Sequence, residues 1–339
     1  MSVHRALAPA KVNLGLFLGP RRASDGRHEL VSVMQSISLA DELTLQAAAA
    51  GVTQDEIVCP GVPGPSEANL AAAALRAFRA STGWDAPPLR LSITKRIPLA
   101  AGLAGGSADA AAALRLARHA SGLGDEQLLR RLGAELGADV PAQISPGRWL
   151  ASGAGEQLHE LAPPRSAFGL LLLPLPVELS TAAVYREADR MGLARTLPVL
   201  HEHASELGAA LAHGAPLPAA IELLHNDLQR AAVSLCPQIA DALAQALRAG
   251  ADPALVSGSG PTVVGLFAGS GRSVSEGLWL AERGAASLAL RVPAPICATP
   301  VDATFAQAVT VAESLPVEGS LSGAGDRHRR ASQSRPEMR

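Results

Sequence analysis

Aromatic residues are scarce in this 339-residue chain: three Trp, one Tyr and five Phe. A core must therefore come from small aliphatic side chains, Ala above all, each of which buries little area. Cysteine is scarcer still, and Cys59, Cys236 and Cys297 are odd in number and far apart. That excludes a disulfide framework and a paired-cysteine metal site, so all three are read as reduced filler. Neither sign of charge dominates, with 29 Lys and Arg against 31 Asp and Glu and a formal charge of −2. Proteins that neutralise a phosphate backbone need clustered cations, so no nucleic-acid partner is expected. Long apolar runs are missing too. The longest, Phe168 to Val177, is broken by Pro174 and Pro176, whereas a spanning helix needs about 20 apolar residues. Lys11 and Asn13 interrupt the N-terminal stretch that a signal peptide would keep apolar, so no membrane segment and a cytoplasmic location are expected.

What is present excludes a wholly disordered chain: 48% of residues are apolar and 18% charged. The length exceeds what one core usually organises, which predicts two domains. Residues 6 to 20 and 28 to 45 read as extended segments, and "SISLADELTLQ" alternates as a half-buried strand does. After a loop over Gly51 to Pro65, Ser66 to Ala80 has helical spacing, with Ser66 or Asn69 able to cap it. "LRLSITKRIPL" alternates again and enters a glycine cluster, after which Ala110 to Ala120 is helical in composition. Leu128 to Leu136 continues as helix, Gly147 to Ser152 as strand, and a buried strand follows a Pro-rich junction. Beyond it, helices are predicted around 181 to 191, 198 to 212, 217 to 233 and 237 to 249, and strands near 253 to 257, 261 to 268 and 286 to 292. The boundary falls near residues 155 to 165, giving domains 1–160 and 161–317. Periodicity ends at about Glu318; residues 327–339 hold five Arg and one Glu, and 318–339 reads as a solvated tail. No internal repeat is found.

The sharpest local feature is "PLAAGLAGGSADAAAALRLA", Pro98 to Ala117, where Gly102, Gly105 and Gly106 stand between a strand and a helix. Glycines let backbone amides approach an anion, and the free N–H groups of a helix start favour phosphate. It is neither a Walker A loop nor a dinucleotide fingerprint, because both spacings fail. Alone it is equally compatible with a turn capped by Ser107 or Asp109. A second run, "VSGSGPTVVGLF" at 256 to 267, lacks the nucleophile-elbow spacing and by itself is a hairpin as readily as a site. Lys11 and Asn13 in "APAKVNLGLFLG", and Asp139 in "LGADVPAQI", place polar groups among apolar neighbours. Such groups are costly unless paired or functional. Singly, each also suits a surface Lys or a helix cap.

Together and in this order, "APAKVNLGL", "PLAAGLAGGSADAA" and "SGSGPTVVGLF" resemble the GHMP kinases, the superfamily of galactokinase, homoserine kinase, mevalonate kinase and phosphomevalonate kinase. Within it, "DGRHELVSVMQSISLADELTL" at 25 to 45, "GADVP" at 137 to 141, "GEQL" at 155 to 158 and "NDL" at 226 to 228 resemble the enzymes that phosphorylate a cytidine-linked branched polyol in non-mevalonate isoprenoid synthesis. The similarity runs from about residue 5 to about residue 300. It implies an α+β fold of two domains, an active site in the cleft between them, and transfer of phosphate from ATP, carried as its Mg²⁺ complex, to the substrate's 2-hydroxyl. The resemblance implies that Asp139 takes or orients the hydroxyl proton and that Lys11 stabilises the developing charge. The loop Pro98, Leu99, Ala100, Ala101, Gly102, Leu103, Ala104, Gly105, Gly106, Ser107 and Ala108 would hold the triphosphate, with Ser107 facing phosphate or Mg²⁺ and Asn69 toward adenine. His28 and Asn13 would line the cytidine side, with Tyr185 stacking on the base.

Two departures stand out. Arg27 occupies a position where the family commonly has an aromatic residue, and a guanidinium plane can also stack on a base. Ala104 and Ala108 replace the usual Gly and Ser; Ala104 keeps its amide available if its φ is negative, but Ala108 has no hydroxyl. Two rival readings remain open. One is another GHMP kinase of homoserine or mevalonate type; the other is a non-catalytic nucleotide-binding protein of the same fold. The intact Lys11 and Asp139 speak against the second.

Overall fold

In the computed structural model, which describes residues 2–164, 168–212, 223–269 and 275–311, two long antiparallel strands, β1 (Val3–Arg21) and β2 (His28–Ala47), open the chain. Their register slips between Pro9 and Lys11, between Asn13 and Gly15, and between Leu18 and Arg21. Such irregularities bend a strand and re-aim the neighbouring side chains. Val12 and Leu14 enter the apolar core while Lys11 and Asn13 line a cavity, as the alternation of a strand requires. β3 (Glu56–Val58) lies parallel to β4 (Leu89–Thr94), and β4 pairs with the second half of β2. The first half of β2 pairs instead with β5 (Arg148–Ser152), which carries β6 (Gln157–Leu161). A second sheet contains β7 (Phe168–Leu173), β8 (Ala254–Val256), β9 (Val263–Ala268) and β10 (Ile296–Ala298), in the order β10-β7-β9-β8. The short β11 (Val309–Val311) returns to pair with β1 and completes the first, seven-stranded sheet.

Helices α1 (Leu70–Thr82), α2 (Gly105–Ser121), α3 (Glu126–Leu136) and α4 (Val140–Ile144) belong to the first half. Asn69 starts α1 by accepting the Ala71 amide, Asp125 starts α3 by accepting that of Leu128, and Gly83 and Gly122 end α1 and α2 in left-handed geometry. Ala110, Ala111, Ala112 and Ala113 of α2 are all buried, so the expected small-grained core is present. Around them pack Leu43, Leu45, Leu75, Phe78, Leu91 and Leu114. Helices α5 (Thr181–Arg190), α6 (Leu197–Leu211), α7 (Gln229–Leu235), α8 (Gln238–Arg248) and α9 (Glu276–Ala286) accompany the second sheet. The two sheets share one cluster in which Val12, Leu14, Phe17 and Val33 meet Leu170, Leu172 and Val264, with Leu200 and Leu207 of α6 over them.

Two expected elements need correction. Residues 286 to 292 form no strand: α9 persists to Ala286, and Leu290 and Val292 are 99% and 84% exposed. Pro293 and Pro295 cannot donate to a ladder, so pairing resumes only at Ile296. The helix expected over 217 to 233 starts, among the described residues, only at Gln229. Before it, the Asn226 side chain takes the Leu228 amide at 2.8 Å, and Asn226 bridges to Leu16. A local side-chain bond of this kind competes with helix formation. Residues 213–222 and the tail 318–339 lie outside the described residues.

Candidate active site

Lys11 and Asp139, 128 positions apart in sequence, meet with Nζ and Oδ2 separated by 3.5 Å. Lys11 is nearly buried, whereas the Asp139 side chain is 37% exposed to the cavity beside it. Asp139 occupies the N-cap position of α4, yet its carboxylate makes no capping bond and stays available. The ammonium is aimed by a relay. Lys11 Nζ donates to Asn13 Oδ1 at 2.8 Å, Asn13 Nδ2 donates to Ser32 Oγ at 2.7 Å, and Ser32 Oγ donates to the Gly15 carbonyl at 2.7 Å. This chain fixes which way the Asn13 amide faces.

The two glycine-rich loops dock on each other here. Gly102 has φ +74°, and a Cβ on it would run into the Gly260 carbonyl. Gly258 has φ +57°, and its Cβ would sit 3.1 Å from Asn13 Oδ1. Asn226 braces the second loop by donating to the carbonyls of Val256 and Gly258, both at 2.7 Å. In the first loop Gly102 and Ala104 line the cavity, while Ala101, Leu103 and Ala108 turn their side chains into the core. Ala104, for which negative φ was the condition for a free amide, has φ +56° instead, and Ala100 has +53°. Among the described residues no side chain caps α2, so its first amides are left for an outside acceptor.

A buried cluster that the sequence reading did not assemble, having offered Asp109 only as a cap, anchors this loop. Lys95 Nζ is shared between Asp41 and Asp109, the latter at 2.6 Å. Asp41 also accepts the amides of Arg96 and Ile97, at 2.5 and 2.8 Å. Burial pushes the Asp109 carboxyl up, against the opposing charge of Lys95. The signal existed: Asp109 is a charge within an alanine run, the pattern that singled out Asp139.

Arg27, His28, Tyr185 and Arg186 also line the cavity. The turn at 22–27 is latched to the turn after β5: Arg27 Nη2 donates to the Ala154 carbonyl at 2.6 Å, Arg22 pairs with Glu156, and Glu156 accepts the Ala154 amide at 2.7 Å. The His28 and Tyr185 rings lie 5.2 Å apart, tilted by 43°. The Tyr185 hydroxyl is pushed up to about 12, first by burial and then by the charge of Asp139. The whole cavity is about 740 Å³, a size suited to small molecules. It brings together Lys11, Asn13, Arg27, His28, Asp139 and Tyr185. Ser107 and Asn69 are not among its lining residues, Asn69 being spent on the α1 cap.

Comparisons with known proteins fit this geometry. Models of the GHMP kinases N terminal domain and the GHMP kinases C terminal region match residues 69–147 and 204–278. The 4-diphosphocytidyl-2-C-methyl-D-erythritol kinase of Mycolicibacterium gilvum is 43% identical over 281 residues, covering 81% of this chain and 85% of that one. The protein of the same name from Streptomyces coelicolor is 42% identical, covering 79% and 88%. A crystal structure of 4-(cytidine 5'-diphospho)-2C-methyl-D-erythritol kinase superposes with a TM-score of 0.68 at 31% identity, over 87% of this chain and 98% of that one. Homoserine kinase from Cytophaga hutchinsonii, with a TM-score of 0.67 at 16% identity over 91% and 97%, shares the fold. No helix among the described residues is long and apolar enough to cross a membrane.

Proposed function

Because the chain belongs to the GHMP kinases, in the branch of the 4-diphosphocytidyl-2-C-methyl-D-erythritol kinases, we propose that it transfers the γ-phosphoryl group of ATP to the 2-hydroxyl of that cytidyl polyol. The observation that carries this reading is the convergence of the Lys11 ammonium and the Asp139 carboxylate, 3.5 Å apart, on one cavity. The substrate oxygen would attack the γ-phosphorus, ADP would leave, and the hydroxyl proton would pass to Asp139. Lys11 holds positive charge where that oxygen becomes negative. Phosphoryl transfer asks a protein chiefly for such positioning and electrostatics.

The residues present fit a nucleotide triphosphate: the start of α2 carries no side-chain cap, and Gly102 and Ala104 immediately before it line the cavity. Among the described residues, no group of three or more His, Cys, Asp or Glu is placed to hold a metal ion. The ion would arrive on the phosphates of ATP, with Ser107, in the first turn of α2, as the hydroxyl offered to it. Mg²⁺ bound there would offset phosphate charge. Arg27, His28 and Tyr185 would receive the cytosine, with Arg27 standing in for the aromatic wall. The halves 1–160 and 161–317 would flank the reaction.

Asp139→Asn tests the assignment. It should lower kcat by roughly 10² to 10⁴ while leaving the KM for ATP nearly unchanged, as loss of a general base does. An ADP-release assay with the cytidyl substrate reads both, and near-normal turnover would remove Asp139 from the chemistry.

A further inference from the structure

We propose that Asp189, near the end of α5, is a positioning residue that sets the tautomer of His28 and thereby makes the pocket prefer cytosine to uracil; this rests on the functional reading above. Asp189 Oδ1 lies 2.7 Å from His28 Nε2. Its other oxygen takes Arg21 Nε at 3.0 Å and a terminal guanidinium nitrogen at 2.8 Å. The carboxylate thus joins the end of β1, the start of β2 and α5 at a single point. A carboxylate can only accept, so the shared proton sits on Nε2. In the neutral ring that leaves Nδ1 as an acceptor. His28 is 6% exposed and lines the cavity, and among the described residues no protein group hydrogen-bonds Nδ1.

An acceptor at this point discriminates between bases. Cytosine carries an amino donor at C4, whereas uracil carries a carbonyl there. Nδ1 can take the cytosine amine; facing the uracil carbonyl it would set two acceptors against each other. The opposite tautomer would reverse the preference. His28 supplies the contact, but Asp189 decides its sign, 161 residues away in sequence.

The test uses the full-length protein labelled with ¹⁵N, as wild type, Asp189→Ala and Asp189→Asn. The His28 ring signals are assigned by their loss in His28→Gln. In the wild type the proton should sit on Nε2 rather than Nδ1; in Asp189→Ala the two tautomers should mix. The same substitution should raise the KM for the cytidyl substrate about tenfold and cut its preference over the uridyl analogue by a similar factor, leaving the KM for ATP alone. Asp189→Asn keeps an accepting oxygen and should fall between, which covers the case in which the alanine variant fails to fold. A cytidyl KM within about twofold of wild type in Asp189→Ala, an equal rise for ATP, or a wild-type ring protonated at Nδ1 would overturn the proposal. Titration with CDP and UDP separates the two readings. Absent turnover with CDP still preferred removes only the kinase reading, whereas equal perturbation of His28 by CDP and UDP removes only the role of Asp189.

Discussion

Asn13 bears no charge, yet it decides where Lys11 points: its Oδ1 receives the ammonium at 2.8 Å while Ser32 holds its Nδ2. Lys11, Asn13 and Asp139 were legible in the sequence because each is polar among apolar neighbours, and that arrangement is costly without a purpose. Ser32 and Asp189 were not, because an ordinary Ser in a strand and an ordinary Asp in a helix reveal nothing until their partners are known. Arg27 belongs at this scale too. Its Nη2 is engaged by the Ala154 carbonyl, which holds the guanidinium at the cavity wall. Arg27→Ala should raise the KM for the cytidyl substrate by about tenfold, the order of a lost stacking and charge contact, and the KM for ATP far less. Steady-state kinetics with each substrate varied in turn would show this; the reverse ranking would take Arg27 out of the base pocket.

Among the elements, the two glycine-rich loops matter as a pair. Each read alone was compatible with a simple turn, and only their contact, Gly102 against Gly260, makes them one surface. Ala100 and Ala104 both hold positive φ in the first loop, a conformation that costs an L-residue about 1–2 kcal/mol each. No propensity scale would have placed alanine there. Gly102→Ala adds a third such residue and drives a methyl group into a backbone carbonyl. We expect a loss of about 2 kcal/mol in urea unfolding and at least a tenfold rise in the KM for ATP, because the loops must separate. An unchanged KM for ATP would show that their contact does not shape the nucleotide end.

Across the whole molecule, Asp227 ties the halves together. Its carboxylate takes the Leu18 amide at 2.9 Å, Arg195 through two bonds of 2.7 Å, and His225 at 2.9 Å. Burial pushes its carboxyl up, but the bonds to Arg195, His225 and Leu18 more than offset this and bring it down to about 2. A depressed folded value means stability that is present above the unfolded value of 3.8 and lost as pH falls toward 2. The drop from 3.8 to about 2 is on the order of 2 kcal/mol. Urea unfolding at pH 5 and near pH 2 should therefore show wild type losing about 2 kcal/mol more than Asp227→Asn. Equal losses in the two proteins would mean that this junction does not govern acid stability.

By itself the sequence determined most strand and helix periods, the glycine turns and the small-grained core, and it marked Lys11 and Asp139 as polar groups set among apolar neighbours. Those are local matters, set by side-chain spacing, φ preference and the cost of lone polar groups. It misplaced a strand at residues 286–292, because a short apolar run reads alike whether buried or exposed, and Leu290 is fully exposed. Only the tertiary structure decided the rest. The docking of Gly102 on Gly260, the sharing of Lys95 by two carboxylates, and the link from Asp189 to His28 each join residues distant in sequence. Such pairings carry no periodic signature, because they depend on packing between elements distant in the chain and not on local spacing.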